Sequence, residues 1–190
     1  VDGWEKGMKR RNFLKVSAGM CAASALPGTT FAKGKINSPN ETLNVGVIGC
    51  NGMGNSNLRS MLLNSNVRCT ALCDVDDAVL SKRKAEISRD FGSKPLLYKD
   101  YRSLLGNRDI DAVIIATPDH WHCLQMVDAV SAGKHVYIEK PISNSISEAK
   151  WMVDAANYYK TVVQVGQWQR SGKHWSDAID YVHSGALGQI

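Results

Sequence analysis

The chain has 190 residues, of which 44% are hydrophobic and 22% charged, and its formal net charge at pH 7 is +5. This composition is that of a globular protein with one well-buried domain and extra segments at its ends. Removing the five basic and two acidic residues of segment 1–32 from the totals of 23 and 18 leaves a net charge of +2. No later run combines Lys, Arg and aromatic residues, so the composition argues against a nucleic-acid partner.

The amino-terminal segment 1–32 has the layout of an export signal. Arg10 and Arg11 precede a mild apolar run from Val16 to Leu26, and Thr30-Phe31-Ala32 offers a small-residue cleavage site. The run is shorter than the roughly 20 residues that span a bilayer, so we expect no stable membrane insertion. We predict a twin-arginine leader, with residues 1–7 upstream of its first methionine. It would use the twin-arginine export machinery to reach the periplasm or another extracytoplasmic compartment.

After a linker at residues 33–42, short β-branched runs alternate with stretches of helical period, as in a parallel α/β sheet. Six strands are predicted, at Leu43–Ile48, Val67–Cys73, Pro95–Tyr98, Ala112–Ala116, His135–Glu139 and Thr161–Val165. Ser145 and Glu148 form a capping-box pattern before one of the intervening helices. We predict an α/β fold with a doubly wound parallel sheet over residues 43–166. Residues 167–190 would form a crossover helix, from Trp175 to Ser184, and the beginning of a second α/β domain.

The first strand leads directly into the glycine-rich sequence Gly49-Cys50-Asn51-Gly52-Met53-Gly54, and a helix is predicted to begin near Ser56. This context is typical of a dinucleotide-binding turn, whose amides face the pyrophosphate. Asn51 takes the slot of the second glycine, where its tolerance of left-handed backbone angles would help. A glycine-rich turn without a ligand is the alternative. The predicted cofactor-binding residues are Gly49, Asn51, Gly52, Met53 and Gly54.

Asp74 ends the second predicted strand, 20 residues after Gly54. An acidic side chain at this place can accept hydrogen bonds from both hydroxyls of the adenosine ribose. Because it would repel a 2′-phosphate, we predict NAD rather than NADP as the cofactor. Lys82 and Arg83 lie downstream and could reach a phosphate, but we interpret them as solvated helix charges.

Two further segments complete an ordered set of motifs. They are Thr117-Pro118-Asp119-His120-Trp121-His122, after the fourth predicted strand, and Glu139-Lys140-Pro141, at the end of the fifth. With these motifs the chain resembles the Gfo/Idh/MocA oxidoreductase family from about residue 43 to 190. The resemblance implies a nicotinamide-dinucleotide-binding Rossmann domain, followed by an α/β domain that supplies most of the substrate site. The family's downstream Asp and His are not in this sequence, so we expect a truncated chain with an incomplete active site.

The resemblance also assigns roles to individual residues. It implies that Lys140 is the catalytic residue, beside the nicotinamide, where it hydrogen-bonds a sugar hydroxyl and assists proton transfer. The alternative is a solvated loop lysine. Further cofactor-binding residues implied in this way are Thr117, Pro118, His120, Trp121, His122, Glu139 and Gln167. Arg170 would face cofactor or substrate.

No metal site is predicted, because no Cys, Asp or Glu constellation accompanies the pair His120 and His122. The cysteines that follow the leader have no zinc-site spacing, and we interpret them as small, reduced core residues. They are Cys50, Cys69, Cys73 and Cys123.

Three functions remain open. The resemblance favours an oxidoreductase that transfers a hydride between NAD(P) and a sugar, polyol or sugar derivative. Export implies a tightly bound cofactor, because no nicotinamide pool exists outside the cytoplasm. The alternative is a glycoside hydrolase similar to the NAD-dependent α-N-acetylgalactosaminidases, and the third is a non-catalytic sugar-binding relative. For the full-length protein we expect a small-molecule carbohydrate substrate and a homo-oligomer.

Overall fold

The computed structural model describes residues 42–189. The predicted leader at 1–32 and the predicted linker, apart from Thr42, lie outside these residues. The strands of the described part are β1 (Leu43–Ile48), β2 (Val67–Cys73), β3 (Leu96–Tyr98), β4 (Ala112–Ile115), β5 (His135–Glu139) and β6 (Val163–Gly166). They form one parallel sheet in the order β3-β2-β1-β4-β5-β6. The predicted parallel sheet is therefore confirmed.

The helices of the described part are α1 (Gly52–Met61), α2 (Asp77–Phe91), α3 (Tyr101–Leu105), α4 (His122–Ser131), α5 (Ile146–Tyr159) and α6 (Lys173–His183). Two apolar clusters show how they cover the sheet. Leu58 of α1 and Ile87 of α2 belong to one cluster. Leu104 of α3, Met126 of α4 and Met152 of α5 belong to the other. Strand residues contribute to both clusters, so the sheet is doubly wound, as predicted.

Some element boundaries differ from the predictions for local reasons. Strand β6 begins at Val163 rather than Thr161, because the amide of Val162 donates to Nδ1 of His135 at 3.0 Å instead of joining a strand ladder. At the start of α5, Ser145 Oγ accepts from the amide of Glu148, as the capping box predicts. The Glu148 carboxylate, however, accepts from the amide of Asn144 rather than from that of Ser145.

The predicted helix over Trp175–Ser184 is present as α6, but its surroundings differ from the expectation. Ala178, Ile179 and Val182, which we expected to face inward, are exposed, and no residue of α6 is buried by the described part of the chain. Within residues 42–189, no helix is both long and apolar enough to cross a bilayer.

The cysteines lie where the sequence predicts. Cys50, Cys69 and Cys73 are buried and Cys123 is half-buried, and all four are free thiols. Burial raises the pKa of the Cys50 thiol above its ordinary range, and raises those of Cys69 and Cys73 to about 12. Thiols that stay protonated are poor nucleophiles and poor metal ligands, so these side chains act as packing groups.

Candidate dinucleotide site

A cleft of about 570 Å³ opens where β1, β2 and β4 end. Ligands of open parallel sheets bind at such carboxyl ends. From the predicted set, the cleft is lined by Gly49, Asn51, Asp74, Thr117, Pro118 and Trp121. Residues that the sequence analysis did not predict also line it, among them Val75, Lys99, Asp100, Tyr101, Arg102 and Gln125.

The glycines of the turn are required by close approach and by backbone angle. A Cβ on Gly49, whose φ is +86°, would lie 2.8 Å from the carbonyl of Ala116. A Cβ on Gly54 would overlap the carbonyl oxygen of Gly49, so only glycine lets α1 start this close to β1. Gly52 has a φ of +42°, and a Cβ added there would have no atom within 4 Å. The turn therefore has open space at Gly52 and a helix amino terminus beside it, which fits a pyrophosphate.

Two details of the turn correct the sequence analysis. Helix α1 begins at Gly52, inside the motif, and not near Ser56. Asn51 precedes the helix with a φ of −93° and a ψ of 174°, which is extended backbone. The residues of the turn with a positive φ are Gly49 and Gly52, so the conformational reason for an asparagine at position 51 was wrong.

Asp74 is held at the mouth of the cleft by two backbone amides. Its Oδ2 accepts from the amide of Cys50 at 2.8 Å, and its Oδ1 accepts from the amide of Asp76 at 3.1 Å. A carboxylate oxygen can accept more than one hydrogen bond, so both oxygens can still receive hydroxyl donors. Asp74 thus has a fixed orientation and spare acceptor capacity.

Arg83 of α2 is not the solvated charge that the sequence suggested. Its side chain is only 14% exposed, and its Nε donates to the carbonyl of Cys50 at 3.1 Å. One terminal nitrogen donates to Oδ1 of Asn51 at 2.9 Å and the other to Glu86 at 2.7 Å. The bond from Arg83 holds the pKa of Glu86 below its ordinary value. Lys82, by contrast, is exposed as expected.

His122 joins two loops at the carboxyl edge of the sheet. The ring is 1% exposed, with Nδ1 at 2.8 Å from the carbonyl oxygen of Pro141 and Nε2 at 2.8 Å from that of Thr117. Both nitrogens are thus engaged, and a direct contact of His122 with the cofactor stays a prediction. Beside it, the hydroxyl of Thr117 donates to Oε1 of Gln125 at 2.7 Å.

His120 does not share a site with His122. Its side chain is 60% exposed, and Nδ1 lies 3.8 Å from a carboxylate oxygen of Asp119. Among residues 42–189, no group of three or more His, Cys, Asp and Glu side chains could hold a metal ion.

Glu139 and Lys140 lie at the end of β5. Glu139 is 4% exposed; its Oε1 accepts from the side-chain amide of Asn57 at 2.7 Å, and its Oε2 accepts from the amide of Lys140 at 3.0 Å. A Cβ on Gly166 would lie 3.0 Å from Oε1, so the glycine leaves room for this carboxylate. The backbone of Lys140 is therefore anchored, while its side chain is exposed.

The other predicted residues are not part of the cleft lining, namely Gly52, Met53, Gly54, His120, His122, Glu139, Lys140, Gln167 and Arg170. Gln167 and Arg170 line a separate depression of about 470 Å³ along β6. Met53 lines a groove of about 550 Å³, whose other walls include Asn57, Tyr137 and Trp168. Roles for these three residues toward cofactor or substrate stay predictions.

The missed cleft residues come mainly from the segment after β3. Tyr101 donates to a carboxylate oxygen of Asp128 at 2.7 Å, and burial with this carboxylate raises the pKa of Tyr101 to about 12. The guanidinium of Arg102 lies 4.7 Å from the Tyr101 ring, and Lys99 donates to the carbonyl of Val75 at 2.6 Å. The rule that carboxyl ends of parallel strands build the crevice would have predicted this segment, had it been applied to β3.

Known proteins resemble this chain in sequence and in structure. The chain is 29% identical to glycosyl hydrolase family 109 protein 1 of Shewanella sp. strain ANA-3 and to an α-N-acetylgalactosaminidase of Shewanella oneidensis. Each match covers 95% of this chain and 44% of the relative, so the chain spans less than half of their length. The structure of Lactobacillus casei scyllo-inositol dehydrogenase with NAD(H) and scyllo-inositol matches with a TM-score of 0.68 and 25% identity, covering 78% of this chain and 43% of that one.

Residues 43–167 match the family model of oxidoreductases with an NAD-binding Rossmann fold, and this range holds the sheet, the glycine turn and Glu139-Lys140-Pro141. The chain therefore belongs to the Gfo/Idh/MocA oxidoreductase family.

Proposed function

We propose that this chain is the cofactor-binding part of an NAD-dependent oxidoreductase that acts on a sugar, polyol or sugar derivative. The observation that carries the proposal is the cleft at the carboxyl edge of the sheet, where the glycine turn and the amide-held Asp74 meet. The inositol dehydrogenase of matching fold, with NAD(H) and a polyol bound, supports this substrate class.

Residues of the cleft, of the turn beside it and of the end of β5 would each contact a different part of the cofactor. The open turn at Gly52 would receive the pyrophosphate, and Asp74 would receive the adenosine ribose hydroxyls. When bound, the nicotinamide accepts a hydride from the substrate carbon. Lys140, at the end of β5, would hydrogen-bond the hydroxyl on that carbon and accept its proton as the hydride leaves. The anchored carboxylate of Glu139 would keep the Lys140 backbone in place.

Asp74 should select NAD over NADP. Replacing Asp74 with serine removes one carboxylate. This group would repel a 2′-phosphate and would also accept hydrogen bonds from two ribose hydroxyls. We expect the dissociation constant for NAD⁺ to rise about thirtyfold, because hydrogen bonds to a charged group are lost. The dissociation constant for NADP⁺ should fall or stay unchanged. Titration of the nucleotide-free protein with both cofactors measures this, and an unchanged preference would contradict the assignment. Asp109→Ser, on a distant loop, is the control.

A second candidate is a glycoside hydrolase that uses NAD only transiently. The specific observation in its favour is that matched relatives are family 109 glycosyl hydrolases and an α-N-acetylgalactosaminidase. In such a reaction, temporary oxidation of the sugar makes its glycosidic bond labile, and the cofactor ends the cycle unchanged. Glu139, Lys140 and the turn would have the same positions in both reactions.

One experiment on the full-length protein separates these functions. We expect the protein, purified from the exported fraction and denatured, to release a nicotinamide dinucleotide in about a one-to-one ratio. The native protein is then given free sugars and polyols, and separately a panel of nitrophenyl glycosides. Oxidation of a free sugar or polyol with reduction of the bound cofactor supports the dehydrogenase. Nitrophenol release with no net NADH supports the hydrolase, and absence of bound or bindable dinucleotide would overturn both.

We also propose that the protein is exported through the twin-arginine route. The supporting observation is the pair Arg10 and Arg11 before a short apolar run. This route carries folded proteins, which would allow a cofactor to travel in its cleft. Recovery of dinucleotide from the exported fraction, as above, therefore tests export and cofactor retention together.

A further inference from the structure

The arginine behind the phosphate turn has contacts that packing alone does not require. Arg83 is the seventh residue of α2, yet its guanidinium donates to the carbonyl of Cys50 and to the side-chain oxygen of Asn51. The other face of Cys50 is also engaged, because its amide donates to Asp74. The peptide units around Cys50 are thus held from both sides, by the ribose-site carboxylate and by Arg83.

The contact with Asn51 decides which atoms the turn presents to a ligand. An asparagine amide has one acceptor oxygen and two N–H donors. With Oδ1 taken by Arg83, the groups that remain for a ligand are the donors of Nδ2. The Cys50 carbonyl, which is another acceptor near the turn, is also taken by the guanidinium. A pyrophosphate has only acceptor oxygens at neutral pH, so a turn that offers donors alone matches it.

This arrangement also explains the asparagine in a slot where the dinucleotide motif has glycine. The backbone of Asn51 is extended, so glycine is not needed there for its conformation. A glycine leaves space for the pyrophosphate but contributes no side-chain donor, whereas an asparagine with a fixed oxygen contributes N–H groups. The Asn51 side chain presents N–H donors to the pyrophosphate only while its oxygen is bound elsewhere, because an unbound amide group can rotate and direct its oxygen toward the phosphate.

We propose that Arg83 is a positioning residue that binds the Asn51 oxygen and the Cys50 carbonyl, so that the turn presents only hydrogen-bond donors to the cofactor pyrophosphate. This inference rests on the proposed function, since it requires a dinucleotide in the cleft. Arg83 acts through Asn51 and Cys50 and does not itself contact the cofactor. Arg83 also forms an ion pair with Glu86, in which a guanidinium nitrogen lies 2.7 Å from a carboxylate oxygen.

The test is NADH binding by the full-length, nucleotide-free protein, followed by energy transfer from tryptophan, with thermal unfolding measured in parallel. Arg83→Met should raise the dissociation constant about tenfold, a change typical of losing hydrogen bonds to a charged group. Asn51→Asp is the sharper variant. It keeps, and strengthens, the contact with Arg83 but replaces the N–H donors with an oxygen. It should raise the dissociation constant at least about tenfold without lowering the unfolding temperature.

A double-mutant cycle separates positioning from simple support of the fold. In an Asn51→Gly background there is no side-chain oxygen to hold, so Arg83→Met should weaken NADH binding only about threefold. Arg83→Lys, which keeps the charge but lacks the second donor arm, should bind NADH between the wild type and Arg83→Met. The matched control is Arg89→Met, because Arg89 lies on the same helix, is 73% exposed and forms an ion pair with Asp90, away from the turn. It should leave the dissociation constant unchanged.

The outcomes distinguish this inference from the proposed function. If the wild type binds no dinucleotide, both the proposed function and this inference are wrong. If the wild type binds NADH and Arg83→Met binds it equally well, the inference alone is wrong. It is also wrong if Asn51→Asp binds like the wild type, or if the effects of Arg83→Met and Asn51→Gly simply add. A lower unfolding temperature with unchanged NADH affinity would reduce Arg83 to a structural role.

Discussion

Replacing Gly54 with alanine is expected to lower NAD⁺ affinity about a hundredfold, the effect of losing one or two hydrogen bonds to the charged pyrophosphate. The new methyl group would overlap the carbonyl oxygen of Gly49 and would lie 3.2 Å from the Cβ of Ala116. The overlapping atom is backbone in a tight turn, so α1 must move away from β1. The amides at its first turn then no longer converge on the pyrophosphate. The same displacement should reduce the free energy of unfolding by about 2 kcal/mol.

Gly106→Ala is the matched control for this prediction. Gly106 follows α3 with a φ of −67°, and a Cβ there would make ordinary contacts at 3.6 Å. This variant should bind NAD⁺ normally and unfold at the same temperature or slightly above it. Isothermal titration and chemical unfolding measure both quantities. Unchanged NAD⁺ affinity in Gly54→Ala would show that the turn does not form the pyrophosphate site.

Replacing Lys140 with alanine is expected to reduce turnover about a thousandfold, within the range known for loss of a general acid or base. The dissociation constant for NAD⁺ should change less than about threefold, because the Lys140 side chain is exposed and only its backbone amide is anchored by Glu139. Single-turnover measurements under saturating cofactor isolate the chemical step from binding.

The control is Lys150→Ala, since Lys150 is also an exposed lysine but belongs to α5 and not to the end of β5. Its turnover should equal that of the wild type. Arginine at position 140 should not restore activity, because a guanidinium does not give up its proton in proteins. Full turnover in Lys140→Ala would show that Lys140 is not the catalytic residue.

The predictions that succeeded depend on local order along the chain. Strand positions follow from short β-branched runs, and the place of Asp74 in the cleft follows from its distance after the glycine turn, while its contact with a ribose stays a prediction. The predictions that failed depend on contacts between distant segments. Arg83 was taken for a solvated charge, since no helical pattern shows that its side chain turns back to a loop 32 residues earlier. Gln125 was missed because it belongs to the cleft only through the fold, where it accepts from Thr117.

The sequence by itself determined the parallel α/β class, the turn from Gly49 to Gly54 and the family motifs, because hydrophobic period and glycine spacing act over neighbouring residues. Only the tertiary structure decided which atoms those motifs present. It shows that Asn51 is extended with its oxygen bound by Arg83, and that His122 is engaged by two carbonyls. The physical reason is that a hydrogen-bond donor finds its acceptor in space, and the sheet order brings together loops that are far apart in the chain.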